Sequence, residues 1–133
     1  MKIAYCILGT FNSGGMERVL ANKTNYLAKL GHDISIITTD QKNRKPYFDL
    51  HASIKQIDLG INYTENNSSG LLKKIFDYPR KQALHKKLLA EKLSEIKPDI
   101  CVSLFDHEVG LLPDMNDGSK KIVEIHFSRF KRL

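Results

Sequence analysis

Apolar and polar residues alternate along this chain in blocks that predict strands and helices in turn. The apolar runs over residues 3–8, 34–39 and 100–104 are typical of buried strands, because they are short and mostly without charge. Between the first two runs, apolar residues recur at helical spacing from Met16 to Leu30, and Gly31 is well placed to cap that helix. The order strand, helix, strand predicts a right-handed βαβ unit in a parallel sheet.

The rest of the chain extends this pattern. Residues 54–59 alternate as an edge strand would, and a polar loop rich in Asn and Ser follows. We expect a short helix over 71–77 and a second helix that begins near Pro79 and runs to about Lys97. The apolar face predicted for that second helix comprises Ala83, Leu84, Leu88, Leu93 and Ile96. A fifth strand is expected over 121–125.

These elements predict one domain over residues 1–133 of the α/β class. The fold would be a Rossmann-like three-layer α/β/α sandwich, with a mainly parallel sheet in the strand order 3-2-1-4-5. In such sheets, ligands bind outside the carboxyl ends of the strands where the order reverses. We therefore expect the loop after strand 1, residues 105–110 and His126 to converge there.

The stretch Gly9–Arg18, between the first strand and the first helix, carries the clearest chemical signal. Glycine has no side chain to hold a ligand away, and a helix N-terminus offers unpaired N–H groups to anions such as phosphate. The stretch is not a nucleotide P-loop, because Gly15 and Met16 stand where Lys and Ser/Thr are required. It also lacks the dinucleotide fingerprint G-x-G-x-x-G. A tight turn without any ligand is the alternative.

Charge and composition narrow the range of partners. The net charge of +6 favours anionic partners, but no nucleic-acid-binding motif appears, so we expect no nucleic acid partner. The lysines at 81, 86, 87 and 92 fit either a solvated helix face or a docking site for anionic lipid. No run approaches the ~20 apolar residues of a membrane span. Cys6 and Cys101 predict buried free thiols in a reducing compartment, so we expect a cytoplasmic location, with peripheral contact at the inner membrane face left open.

The stretch Gly14–Val19 directly after a first strand resembles the N-terminal domain of GT-B glycosyltransferases. It is most similar to the large retaining family of glycosyl transferases 4, also called group 1. Supporting matches are 27–33 before a β-branched strand, 97–100 before the fourth strand and His126 after the fifth. The resemblance implies transfer of a sugar from a nucleotide-diphosphate sugar to a polysaccharide or lipid-linked acceptor, without cofactor or metal.

The resemblance also implies roles for particular residues. Gly14, Gly15 and Met16 match the loop that approaches the phosphate and sugar of the donor. His126 matches the histidine at the reaction centre, where an imidazole could hydrogen-bond a sugar hydroxyl; a partly buried surface histidine is the alternative. Residues that follow the fourth strand are candidates for acceptor contacts: Asp106, His107 and Glu108.

The sequence departs from the family in one large respect. Family members have two Rossmann-like domains, and the second binds most of the donor and carries an E-x7-E motif that does not occur here. We therefore expect an acceptor-side domain that is inactive without its C-terminal partner domain. The alternative is a non-enzymatic, flavodoxin-like binding module. Two further classes do not fit the sequence. A receiver domain would need an acidic pair to support Asp58, which is missing. A nicotinamide-dependent oxidoreductase would need the G-x-G-x-x-G fingerprint, which is also missing.

Overall fold

A parallel sheet of five strands forms the centre of the molecule. The structure, a computed structural model, describes residues 1–64 and 71–125. The sheet order is β3-β2-β1-β4-β5, and each neighbouring pair is parallel. The fold class and strand order predicted from the sequence are thus confirmed. The strand bounds are β1 Lys2–Ile7, β2 Asp33–Thr38, β3 Lys55–Asp58, β4 Ile100–Ser103 and β5 Lys120–Val123.

The first helix, α1, spans Gly15–Lys29 and ends as its sequence predicts. Gly31 adopts a φ of +94°, a conformation that suits glycine because it has no Cβ. The Gly31 N–H donates to the carbonyl of Ala28 at 3.0 Å, and the His32 N–H donates to the carbonyl of Leu27 at 3.1 Å. This pair of bonds is a Schellman motif, which satisfies the last carbonyls of the helix.

Alternate residues of β1 enter two different cores, one on each face of the sheet. Ile3, Tyr5 and Ile7 face α1, whereas Ala4 and Cys6 face the second helix, α2, which spans Leu71–Ile96. This division makes the sheet the middle layer of an α/β/α sandwich. The α1 side is completed by Leu20, Ala28, Ile34, Ile36, Ile54, Val102 and Leu104. The α2 side is completed by Ile37, Leu59, Ile61, Leu89, Leu93, Cys101, Leu111, Leu112 and Met115.

Helix α2 corrects the expectation of two separate helices, because it runs without a break from Leu71 to Ile96 through Pro79. Proline removes one backbone donor, which leaves the carbonyl of Ile75 without its helical partner. Ile75 is 55% exposed, so this turn of α2 lies at the surface, where the loss of one helical hydrogen bond costs less than in the core. Two short 3₁₀ helices, His107–Gly110 and Leu112–Asp114, follow β4.

The apolar face of α2 agrees with the predicted one at Leu88, Leu93 and Ile96, which pack in or against the core, but not at Ala83 and Leu84. Ala83 and Leu84 are exposed, and Leu84 retains 44% of its accessible surface. Over residues 75–96 of α2, the fully buried side chains are His85, Leu89 and Leu93, which are spaced four residues apart. Because the first of these positions holds a polar residue, His85, the pattern of apolar residues alone did not fully predict which face of α2 is buried.

Cys6 and Cys101 are buried free thiols, as predicted. Their sulfur atoms lie 3.9 Å apart across the neighbouring strands β1 and β4. Within the described ranges, no helix combines the length and hydropathy required to cross a bilayer.

Candidate functional site

The Gly14–Gly15 pair lies at the carboxyl end of β1, where α1 begins. Gly14 is the N-cap residue, with extended backbone, and its carbonyl accepts the Arg18 N–H at 3.1 Å. No side chain of the described residues caps the helix start. A Cβ built on Gly15 would meet no described atom within 4 Å. The space at the Cβ position of Gly15 is therefore free of described atoms, next to the first-turn N–H groups that have no partner within the helix.

Glu17 and Met16 limit what this helix start can bind. The carboxylate of Glu17 lies against Gly14, where Oε1 would be 3.0 Å from an added Cβ. A negative charge there is favoured by the helix dipole, so an anionic ligand at Gly14 would compete with it. The Met16 side chain packs against the core on the α1 side. Only its backbone N–H is thus offered to a ligand.

The first half of the glycine-rich stretch is filled by its own neighbours. The ring of Phe11 folds back over Gly9, and an added Cβ there would clash with it. The guanidinium of Arg44 stacks on the Phe11 ring, 3.3 Å from its centroid. Gln41 Oε1 accepts the Thr10 N–H at 2.8 Å. These contacts fill the space around Gly9 and Thr10, whereas residues 12–15 are exposed.

The turn after β4 is joined directly to the end of β1. Asp106 Oδ2 accepts the Leu8 N–H at 2.9 Å. Phe105 precedes it with a φ of +65°, an uncommon conformation for a residue with a side chain. Residues 105–110 therefore lie beside β1 at the point where the strand order reverses. His126, the predicted catalytic residue, lies outside the described residues.

Glu108 is an internal residue, and only 2% of its surface is exposed. Its Oε2 accepts the Asp106 N–H at 3.0 Å and the Ser103 hydroxyl at 3.1 Å. Burial, together with the nearby charge of Asp106, raises the pKa of Glu108 to about 7. The carboxyl thus fixes the turn that carries Asp106 and His107. Its predicted contact with an acceptor stays a prediction, as do those of Asp106 and His107.

His107 stacks on a tyrosine that the sequence analysis did not single out. The rings of His107 and Tyr63 are 3.8 Å apart and nearly parallel, at 17°. The Tyr63 hydroxyl lies 2.7 Å from His85 Nδ1 and accepts the Nε2–H of Gln82 at 2.8 Å. Which of Tyr63 and His85 donates in their hydrogen bond depends on the tautomer of His85. Burial, together with the nearby His107, lowers the pKa of His85 to about 4, which favours the neutral imidazole.

Asp40, at the end of β2, holds the Tyr63 backbone in place. Its Oδ1 accepts the Tyr63 N–H at 3.0 Å, and its Oδ2 accepts the N–H and hydroxyl of Thr64, both at 2.8 Å. Burial alone would raise the pKa of Asp40, but these hydrogen bonds outweigh it and lower the pKa. The sequence carried one signal for this cluster: His85 lies four residues before Leu89 and eight before Leu93, so it shares their face of α2.

Among the described residues, no group of three or more His, Cys, Asp or Glu side chains is arranged to hold a metal ion. No protein-family model and no curated protein matches the sequence.

Proposed function

We propose that this chain is the acceptor-side domain of a GT-B glycosyltransferase. The enzyme would transfer a sugar from a nucleotide-diphosphate sugar to a polysaccharide or lipid-linked acceptor. The observation that carries the proposal is the open space at Gly15, where α1 starts at the carboxyl end of β1. In a sheet of order 3-2-1-4-5, ligands bind at this switch point between β1 and β4.

The helix start suits the diphosphate of such a donor. Free N–H groups and the helix dipole favour a negative charge, and the absence of a Cβ lets phosphate oxygens approach the backbone. On the other side of the switch point, Asp106 and His107 offer polar atoms to a saccharide hydroxyl. In this proposal His126, which follows β5, contacts the reacting sugar.

Most donor contacts in the resembled family come from a second domain. We therefore propose that residues 1–133 alone bind the donor weakly and do not turn it over. We further propose a cytoplasmic protein that contacts the inner face of the membrane, in line with its two free thiols and with the lysines along α2.

Binding of donor compounds to the ¹⁵N-labelled chain tests the proposal. UDP-glucose, GDP-mannose and inorganic pyrophosphate are added in turn, with uridine as the uncharged comparison. The expected result is amide shifts at Gly14, Gly15 and Met16 with the three diphosphates and none there with uridine. The proposal is overturned if the diphosphates leave these amides unmoved. Binding of flavin mononucleotide instead would support the flavodoxin-like module.

A further inference from the structure

We propose that Tyr63, His107 and Tyr78 form a platform that binds the ring of a neutral saccharide. We call these three residues the aromatic platform. The inference rests on the proposed function in one respect, which is that the saccharide is taken to be part of the acceptor. Three features of the molecule support the platform: the geometry of the rings, the hydrogen bonds that hold them and the surrounding charge.

The three rings form one continuous group at the carboxyl edge of the sheet. Tyr63 and His107 are stacked, and the Tyr78 ring lies 5.8 Å from Tyr63 and 5.9 Å from His107. The Tyr78 hydroxyl is 3.5 Å from His107 Nδ1. Tyr78 remains 48% exposed, and His107 is half-buried. The group is therefore open to a ligand from the solvent side.

The platform is held in position before any ligand arrives. Asp40 fixes the Tyr63 backbone, while His85 and Gln82 fix the Tyr63 hydroxyl. Gln82 Nε2 also lies 3.4 Å from the carbonyl of His107, which links α2 to the turn after β4. Rings that are already fixed lose little conformational entropy when they bind.

The chemistry around the platform favours a neutral sugar over an anion. A pyranose presents apolar C–H groups on its face and hydroxyls around its rim. The aromatic faces can pack against the C–H groups, and the Tyr78 hydroxyl and the Asp106 carboxylate can hydrogen-bond the sugar hydroxyls. A phosphate would meet the negative charge of Asp40, whose pKa is lowered, whereas burial raises the pKa values of Asp106 and Glu108. The ammonium of Lys81 is already engaged by the carbonyl of Asn62. We therefore expect phosphate to bind at Gly15 and the saccharide to bind at the aromatic platform.

The test is a titration of the ¹⁵N-labelled chain with the methyl glycosides of glucose, mannose and galactose, and separately with uridine and guanosine. We expect at least one glycoside to shift the amides of Tyr78 and His107. Tyr78→Ala should weaken that binding about threefold to tenfold, the range for loss of one aromatic contact. Tyr26→Ala, which removes an exposed tyrosine from α1, is the matched control and should leave the binding unchanged.

A second pair of variants separates ring stacking from misfolding. His107→Phe keeps a ring on Tyr63 and should bind the glycoside more tightly than His107→Ala. The proposal is overturned if no glycoside shifts these amides, if only the nucleosides do, or if Tyr26→Ala weakens binding as much as Tyr78→Ala. Glycoside shifts without any diphosphate shift at Gly15 would overturn the donor site and leave the platform standing. The opposite pattern would overturn the platform alone.

Discussion

The backbone N–H of Leu8 donates to the carboxylate of Asp106 at 2.9 Å, across 98 residues of sequence. Leu8 directly follows β1, and Asp106 lies in the turn after β4. The bond therefore joins the start of the glycine-rich stretch to the turn that carries His107. Any ligand held at both places would depend on this connection for its geometry.

Loss of the Asp106 carboxylate should destabilise the fold. Asp106→Ala leaves the Leu8 N–H without its acceptor, and an unsatisfied buried donor costs about 1–3 kcal/mol. Asp106→Asn retains an acceptor oxygen and should cost clearly less, since burial already raises the pKa of Asp106 and disfavours its charged form. Urea denaturation at pH 7 measures both free energies of unfolding. Equal losses in the two variants would contradict the account of this bond.

Glu108 should make stability fall as the pH rises. Its pKa is about 7 when folded and 4.5 as the ordinary value, so the folded protein holds this proton more tightly than the unfolded chain. The contribution is fully present below pH 4.5 and is lost as the pH rises through 7. It amounts to about 3 kcal/mol, an order-of-magnitude figure. Glu108→Gln mimics the protonated form and should remove this part of the pH dependence.

The measurement for Glu108 is the difference in unfolding free energy between Glu108→Gln and the parent chain from pH 4.5 to 8. A difference is needed because His85 acts in the opposite direction. Its lowered pKa, about 4 against 6.5, makes stability rise with pH between those values. Glu91→Gln, which neutralises an exposed carboxyl on α2, is the control. A difference that stays constant across this pH range would contradict the buried, proton-holding role of Glu108.

Two equivalent truncations on α2 should differ strongly in cost. Leu89 is fully buried, so Leu89→Ala should lower the free energy of unfolding by about 2–5 kcal/mol through lost burial and a cavity. Leu84 is 44% exposed, and Leu84→Ala should cost less than about 1 kcal/mol. Thermal or urea unfolding of the two variants checks the orientation of α2. A larger loss of stability in Leu84→Ala than in Leu89→Ala would contradict this orientation and support the apolar face predicted from the sequence.

The sequence predicted those parts of the fold that depend on local signals. The strand order follows from the succession of apolar runs and the helices between them, and the end of α1 follows from Gly31 alone. The continuity of α2 could not be predicted, because the cost of Pro79 depends on whether the Ile75 carbonyl can reach water. The sequence also could not reveal the Tyr63–His107 stack, which joins residues 44 positions apart through tertiary packing. The open space at Gly15 agrees with the local glycine signal, whereas the Phe11 ring and Arg44 cover Gly9 at the start of that stretch.

Binding of a nucleotide-diphosphate sugar to Gly15→Val tests the central claim most directly. Gly15 has neither a neighbouring described atom within 4 Å of an added Cβ nor a positive φ, so valine should leave the fold intact and obstruct only the ligand. Gly110→Val is the matched control, because Gly110 has the same two properties in the turn after β4. We predict that Gly15→Val abolishes the amide shifts caused by UDP-glucose or GDP-mannose, while Gly110→Val retains them. Unchanged shifts in a folded Gly15→Val chain would contradict the claim that phosphate binds at this helix start.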